Sequence, residues 1–577
     1  MKQIEKYLIS LEGYKNKCFG LFFVLLVIIV AFMVYFFQWG YVFQGHDTDF
    51  HILRLEALME AMKDGRFPVY IDHDAIKGYG YPTRWFYPDA ILIPFAILGN
   101  VTDAIYAYKT LLLVMTILCG VFMYITVIRI YKSTYVAVTG SLLYTFSFYR
   151  MQDLFERSAL GEAVSFTFVP LVFLGLYEII KGNYKRWYIL ALGFTLLIFT
   201  HVLSMFLTFL TLLLVIAVYY KPLWRDKKRI YYLLFSGVVT FVTSAYFLFP
   251  LMEQLLSNTF YFTVKPLFHT SDFAVDIRVM LLGLSIMNFF PNLNNTGAFW
   301  ACLGILLGIS LILRLFLREK SDTIKDVDTG VYIGLFYLII SLNIFPWGMY
   351  PFTKLNFICF PWRLYEFATY FFSIAGGYYS YRLFRSYKHR IFAILFIVAI
   401  TLISLYTASF ATKADFKAYN PYKYEKLADR FYSTGALEYV PHKVPSIKYM
   451  DARGDSIGLR YKETLVSNFS RSKGSISFDV DTRGKKESIE LPLFYYKGYH
   501  AEIDGEKIPL KESKNGLLEL TDVDHSGKIK ILFSGTPIQR ISPYVSLISL
   551  LVLIIYICWD YYHSKTKAAK KNKKGSV

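Results

Sequence analysis

Apolar residues in this chain are gathered into long runs separated by short polar segments, rather than spaced at strand or surface-helix intervals. A run of about 20 apolar residues is what a helix needs to cross bilayer hydrocarbon. Such runs predict crossings at 19–37, 110–130, 136–148 and 163–180, then at 230–249, 299–317, 331–345, 364–383, 391–405 and 545–558. The stretch 187–220 is too long for one helix and is interrupted by Thr200, His201 and Ser204, so it predicts two helices joined by a turn. The chain therefore reads as a polytopic α-helical membrane protein of about 12 spans. The first run follows a basic stretch, as a signal peptide would. It is long for that role, and Gln38-Trp39-Gly40 offers no small-residue cleavage site, so it is expected to stay as a helix. A short apolar piece at 90–98, inside the long segment 40–108, has the length of a re-entrant element.

Between about 412 and 540 the pattern changes. Ser475-Ile476-Ser477-Phe478-Asp479-Val480 and Ser488-Ile489-Glu490-Leu491 alternate as half-buried strands do. Turn pairs recur at Asp504-Gly505, Asn515-Gly516 and Ser526-Gly527, the rhythm of a small β sandwich. The part up to about Ser470 reads as irregular. Three regions follow: a membrane domain over 1–410, a mostly β domain over 411–540, and a final helix with a basic tail over 541–577.

Composition agrees with this division. Hydrophobic residues make up 55% and charged residues 18%, against about 25% charged in ordinary soluble domains. A formal charge of +19 raises the question of nucleic acid. The basic residues sit in short segments between apolar runs: Lys181, Lys185 and Arg186; Lys227, Lys228 and Arg229; Arg382, Arg385, Lys388 and Arg390; and the lysine-rich tail. Segments this short build no folded basic face, which argues against nucleic acid. They fit cytoplasmic loops facing anionic lipid. Both termini are then cytoplasmic, while the first loop and the β domain lie outside. All five cysteines lie in or beside apolar runs, so neither a disulfide framework nor a CxxC metal site is expected.

Three outer segments concentrate acid–base groups. Gly45-His46-Asp47-Thr48-Asp49-Phe50-His51-Ile52-Leu53-Arg54 carries two carboxylates, two histidines in addition to a guanidinium, and a carboxylate there suits proton removal from an incoming hydroxyl. Asp47, Asp49 and His51 are also the donor types a divalent cation takes; no cofactor is otherwise indicated. The second segment, from Arg150 to Glu162, offers Arg157 as a phosphate partner and Glu162 either as a catalytic carboxylate or as an ordinary helix-start residue. The third, Phe360-Pro361-Trp362-Arg363, places Arg363 against a span, where it either snorkels to headgroups or binds an anion. His201, within an apolar hairpin, reads as a core residue before it reads as a ligand.

A carboxylate in the first loop, with later basic residues on the same face, resembles the GT-C superfamily of membrane glycosyltransferases. Further pieces are similar to YfhO-like bacterial membrane proteins and to the related pyruvoyl-tetrahydropterin-synthase-related membrane family, a likeness that implies a bacterial plasma membrane. In the membrane region these are Gly45-x-Asp47-x-x-x-His51-x-x-Arg54, Gly65-x-Phe67-Pro68, Phe86-Tyr87-Pro88, Arg157-x-x-Leu160-Gly161-Glu162 with Pro170, and Phe360-Pro361-Trp362-Arg363. Beyond it, Leu491-Pro492-x-Phe494-Tyr495-Tyr496-x-Gly498-Tyr499 and Ile503-Asp504-Gly505 resemble that group's extracytoplasmic β domain. The synthase label implies no pterin chemistry, because no soluble metal-binding histidine cluster is present in the sequence. The resemblance implies transfer of a sugar from a polyprenyl-phosphate donor to an extracytoplasmic acceptor, a teichoic-type wall polymer or a lipid-linked glycan. It implies Asp47 or Asp49 as base, with Glu162 as a further catalytic candidate. His51, Arg54, Tyr87, Arg157, His201 and Arg363 are the implied substrate-binding residues. Many GT-C enzymes carry an adjacent Asp-Glu pair where this chain has Asp-Thr-Asp, so the choice of base stays open. Two other classes suit a many-span chain: a transporter or lipid flippase, and a non-catalytic envelope-assembly protein that presents its β domain. The absence of a clear repeat, and charges gathered at one face, favour the enzyme.

Overall fold

The computed structural model describes residues 15–36, 42, 45–73, 75–283, 302–413 and 438–574. The start of the expected 299–317 crossing and residues 414–437, which lead into the β domain, lie outside the described residues. The helices used below are α1 (Lys15–Ala31), α2 (Thr48–Lys63), α3 (Ile93–Val101), α4 (Ala104–Tyr131), α5 (Thr134–Thr145), α6 (Phe148–Phe155), α7 (Leu160–Ile180), α8 (Tyr188–Ile198), α9 (Val202–Val218), α10 (Lys227–Thr243), α11 (Ala245–Ser257), α12 (Ile305–Ile312), α13 (Asp322–Ser341), α14 (Tyr365–Leu383), α15 (Tyr387–Lys413), α16 (Ile447–Arg453) and α17 (Pro537–Lys574).

Five helical stretches are long and apolar enough to cross a membrane by length and composition: Asn16–Tyr35, Ala104–Tyr131, Leu160–Ile180, Tyr387–Leu405 and Pro537–His563. The pair α10 and α11 makes a sixth if it crosses as one span, although it bends by 78°. The 187–220 region divides as its polar break predicts, into α8 and α9 with His201 capping α9 through its side chain. The apolar piece near 90–98 is the nine-residue α3.

Helix α7 is buried along nearly its whole length. Pro170 inside it has no N–H to bond the Phe166 carbonyl, and a free carbonyl is costly in an apolar interior. The Tyr144 hydroxyl donates to that oxygen at 2.9 Å. By contrast α17 exposes Leu551, Val552 and Ile555, the surface expected of a helix bordering lipid.

The C-terminal region is a two-sheet sandwich. Its strands are β1 (Gly458–Leu459), β2 (Leu465–Ser472), β3 (Ser475–Asp481), β4 (Glu487–Phe494), β5 (Tyr499–Ile503), β6 (Glu506–Ile508), β7 (Leu510–Glu512), β8 (Leu517–Val523) and β9 (Gly527–Phe533). One sheet runs β1-β4-β8-β7 and the other β2-β3-β9-β5-β6, every pairing antiparallel. Ile476, Phe478, Ile529 and Ile531 of one sheet share a core with Ile489, Leu491, Leu518 and Leu520 of the other. The expectation of irregular chain up to Ser470 is corrected by β2. It is a largely exposed edge strand with an irregular register between Ser467 and Ser470, so no alternation of burial marks it in the sequence.

The sandwich is bolted to the segment between α2 and α3. The Phe494 N–H donates to the Tyr79 carbonyl at 3.1 Å, and the Tyr70 hydroxyl to the Gln539 carbonyl at 2.7 Å. Tyr70, Tyr79, Tyr81, Trp85 and Phe86 are buried in the same cluster as Phe494, Tyr496 and Tyr499. From α11 and the residues after it, the Gln254 and Asn258 amides donate to the Lys497 and Tyr495 carbonyls, each at 2.8 Å. The sandwich and the start of α7 are therefore at one end of the molecule. At about 1.5 Å per residue, the far end of this 21-residue helix, with Lys181 just beyond it, lies roughly 30 Å away.

Candidate functional site

The site begins with a backbone seam. The N–H of His46 donates to the Glu156 carbonyl at 3.0 Å, and that of Asp47 to the Arg157 carbonyl at 2.9 Å. Thr48 Oγ1 accepts from the Gly45 N–H at 2.8 Å and donates to Ser158 Oγ at 2.7 Å. The seam requires glycine at 45, because a Cβ there would lie 2.6 Å from the Glu156 and Phe155 carbonyl oxygens and against Ser158 Oγ. Two segments more than a hundred residues apart are thus zipped together, which sets Asp47 at the head of α2 beside Arg157.

A buried carboxylate organises the guanidinium groups. Glu162, the third residue of α7, accepts from Arg157 Nη1 at 3.0 Å, from Arg363 Nε at 3.2 Å and from the Tyr149 hydroxyl. Arg157 also pairs with the buried Asp153. Burial and the neighbouring Glu162 push the Asp153 carboxyl well above the ordinary carboxylate range. The two guanidinium groups and the carboxyls of Glu162 and Asp153 thus form one cluster beside Asp47. Burial raises Asp47 above its usual value, while Arg157 and Arg363 pull in the opposite direction.

A second support holds α2 in place. Arg54 donates to the Pro88 carbonyl at 2.8 Å and the Tyr87 carbonyl at 3.2 Å, and its guanidinium lies 4.2 Å from the Tyr87 ring centre. His51 faces two donors: the Leu160 N–H at 3.2 Å from Nε2 and Arg54 Nη1 at 3.1 Å from Nδ1. A protonated ring would turn an N–H toward each of them, and burial and Arg54 lower its pKa well below the ordinary histidine range. Tyr87 lies over Gly161, where a Cβ would come 2.7 Å from its hydroxyl.

All of this borders one cavity of about 1800 Å³. His46, Asp47, Asp49, His51, Tyr87, Arg157, Glu162, His201 and Arg363 are among its polar lining, and Phe206, Leu255, Phe268, Phe273, Phe357 and Phe360 among its apolar lining. The predicted residues therefore converge, with Arg54 immediately behind His51 and Tyr87. His201 is both a cap, with Nδ1 at 3.1 Å from Ser204 Oγ, and a wall residue whose ring centre is 5.7 Å from that of Tyr87. The sequence reading missed Asp153 and Tyr149 as partners of Arg157 and Glu162; their only signal was polar character inside an otherwise apolar stretch. It also missed Glu438 and Tyr439, which reach the cavity from the start of the β region.

Among the described residues no group of three or more His, Cys, Asp or Glu side chains is placed to hold a metal ion, Asp47, Asp49 and His51 included. The Nε2 and Nδ1 atoms of His51 are directed at Leu160 and Arg54, which leaves no nitrogen for a metal.

No family model matches the sequence. An uncharacterized protein of Lactococcus lactis subsp. cremoris is 23% identical over 613 residues, covering 96% of this chain and 98% of its own length. Among solved structures, the oligosaccharyltransferase of Archaeoglobus fulgidus in its apo form is similar with a TM-score of 0.39 and 13% identity, over 75% of this chain and 59% of that one. The same enzyme in complex with an inhibitory peptide and a dolichol-phosphate gives 0.36 and 12%, over the same shares of the two chains. This chain thus spans 59% of the length of the oligosaccharyltransferase it matches.

Proposed function

We propose that this protein is a GT-C type membrane glycosyltransferase that moves a sugar from a polyprenyl-phosphate donor to an acceptor outside the plasma membrane. The observation that carries the reading is a single cavity that holds Asp47 beside Arg157 and Arg363 and has an extensive aromatic and aliphatic lining besides. That combination suits an amphiphile with an anionic head and a hydrocarbon tail. Sidedness adds support. The cavity is at the opposite end of α7 from Lys181, Lys185 and Arg186, so cytoplasmic basic loops put it outside. About 12 spans, with both termini inside, remain the topology we favour.

The chemistry follows from the residues. The acceptor oxygen attacks the anomeric carbon as the bond from that carbon to the phosphate oxygen breaks. The acceptor proton passes to the Asp47 carboxylate, and the lipid phosphate leaves with its charge held by Arg157 and Arg363. A carboxylate raised by burial is better matched to this proton transfer than a fully solvated one. We assign the base to Asp47 rather than Asp49, because Asp47 lies in the field of both guanidinium groups. Glu162 has both carboxylate oxygens engaged, so it acts as a positioning residue for Arg157 and Arg363. Arg54, His51 and Tyr87 fix α2 against the start of α7. The test is transfer from a synthetic polyprenyl-phosphate glucose by the full chain in nanodiscs. Asp47→Asn is expected to lose transfer by about 10²–10⁴-fold, and undiminished activity in that variant removes Asp47 from its role.

A further inference from the structure

The cavity is also lined by the chain leading into the β sandwich, where Glu438 and Tyr439 join Phe86, Phe262 and Thr263. This lead-in is rigidly built. The N–H groups of Tyr261 and Phe262 donate to the Val440 and Glu438 carbonyls at 3.1 and 3.2 Å, and the Tyr496 hydroxyl donates to the Tyr439 carbonyl at 3.4 Å. The Tyr439 ring stacks on Phe86 with centroids 4.5 Å apart and planes at 14°. Its hydroxyl makes no hydrogen bond among the described residues, although its backbone N–H and carbonyl are both engaged.

We infer that Glu438 and Tyr439 form the acceptor subsite, and that the acceptor group they take is an uncharged sugar. The inference rests on the proposed transferase reading and deepens it. A hydroxyl-rich ring needs a carboxylate or phenol at its polar edge and an aromatic surface against its C–H face, and these residues offer both. Charge argues for neutrality. Apart from the group around Asp47 and Glu162, the charged residues lining the cavity are Glu438, Asp272, Asp276 and Lys354, so a phosphate-bearing acceptor terminus bound away from Arg157 and Arg363 would meet net negative charge. An anion is favoured beside Arg157 and Arg363, and in the proposed reaction that place is taken by the donor phosphate. The sandwich thus acts as more than a cover, since its buttressing of residues 438–440 completes the cavity.

The experiment uses the full chain in nanodiscs, polyprenyl-phosphate glucose as donor, and three acceptor probes: a maltooligosaccharide, a chitooligosaccharide and poly(glycerol phosphate). Tyr439→Phe keeps the ring stack and removes only the hydroxyl; Glu438→Gln keeps the shape and removes the charge. Each is expected to raise the acceptor KM about tenfold with kcat and donor affinity little changed, as loss of a ground-state contact does. A neutral oligosaccharide is expected to be used in preference to poly(glycerol phosphate). Transfer by the parent chain with acceptor KM unchanged in both variants, or a preference for the anionic polymer, overturns the subsite and leaves the transferase reading intact. If the parent chain transfers to no probe, the transferase reading fails instead, and binding then decides the subsite. Saturation-transfer NMR of the two neutral oligosaccharides on the same nanodiscs supports it if contact is seen and weakens in Tyr439→Phe. Absence of contact, or contact indifferent to the substitution, overturns it.

Discussion

Helix α7 carries a glutamate gripped by two arginines at each end, and the two ends differ in what surrounds them. At the cavity end, Glu162 meets Arg157 and Arg363, whose side chains are 8% and 16% exposed. At the other end, Glu178 accepts from Arg129 at 2.8 Å and Arg186 at 3.2 Å, with the arginine side chains 37% and 34% exposed. Glu178 also accepts the Asn183 N–H at 2.9 Å, closing the turn after α7. The pairing chemistry is the same. Only the first pair borders a large cavity and has a further carboxylate, Asp47, facing it. A carboxylate flanked by arginines is therefore not in itself a site; here an adjoining volume and a carboxylate not committed to the pair make the difference.

The strongest way to test that contrast is to remove the organising carboxylate at the cavity end. Glu162→Ala leaves Arg157 and Arg363 buried without their shared partner, a change that costs about 3–5 kcal/mol where burial is this deep. A large fall in thermal midpoint together with loss of transfer is expected, read by thermal unfolding in nanodiscs and by the glucose-transfer assay. Next in size is Arg363→Lys. An ammonium cannot reproduce the planar donor set that reaches both Glu162 and the Ile358 carbonyl at 3.0 Å. We expect kcat to fall by about 10²–10³ with the fold retained, the scale of losing one preorganised donor to a leaving charge. An unchanged kcat would assign Arg363 to structure alone.

What could be read from the sequence divides along physical lines. The helical hairpin of α8 and α9 was legible because Thr200 and His201 interrupt an apolar run, and the Asp504-Gly505, Asn515-Gly516 and Ser526-Gly527 turns do connect consecutive strands. These are local signals carried by a few adjacent residues. The convergence of Asp47, Arg157 and Arg363 was legible only as shared sidedness, and the seam from His46 to Glu156 has no local signature beyond Gly45. Strand β2 was missed because an exposed edge has no buried face to impose alternation. Tyr439 was missed for a related reason. Its surroundings are contributed by Phe86, Phe262 and Tyr496, distant in sequence, and nothing adjacent to it sets it apart from any other tyrosine.

The seam predicts a smaller effect than the arginine. Gly45→Ala forces the backbone at 45 away from the Glu156 and Phe155 carbonyls, at about 1–3 kcal/mol for overpacking. A displacement of about 1 Å at Asp47 is expected to lower kcat by roughly 10². Gly20→Ala in α1, where a Cβ meets nothing within 4 Å, is the matched control and is expected to leave transfer unchanged. Smaller still is Glu178→Gln at the far end of α7. Arg129 and Arg186 can turn to water, so a loss of about 1–2 kcal/mol in stability is expected with normal transfer. Transfer that falls as far as in Glu162→Ala would dissolve the distinction between the two ends.

The smallest effect is a displacement on the pH axis, and it is the one that identifies the base. Asp47 must be ionised to accept a proton, so kcat/KM rises with pH through its pKa and levels off above it. Burial places that midpoint above the ordinary carboxylate value, while Arg157 and Arg363 restrain it. Removing one restraining charge with Arg363→Gln therefore favours the protonated form, and the acidic limb moves to higher pH. Glu178→Gln, about 24 Å along the same helix by its 16-residue separation, leaves the limb in place. His51 does not produce this pattern, because its shift is set by burial and by Arg54, which Arg363→Gln leaves in place. A limb that moves down in Arg363→Gln, or moves equally in both variants, assigns the titration to another group and takes the base role from Asp47.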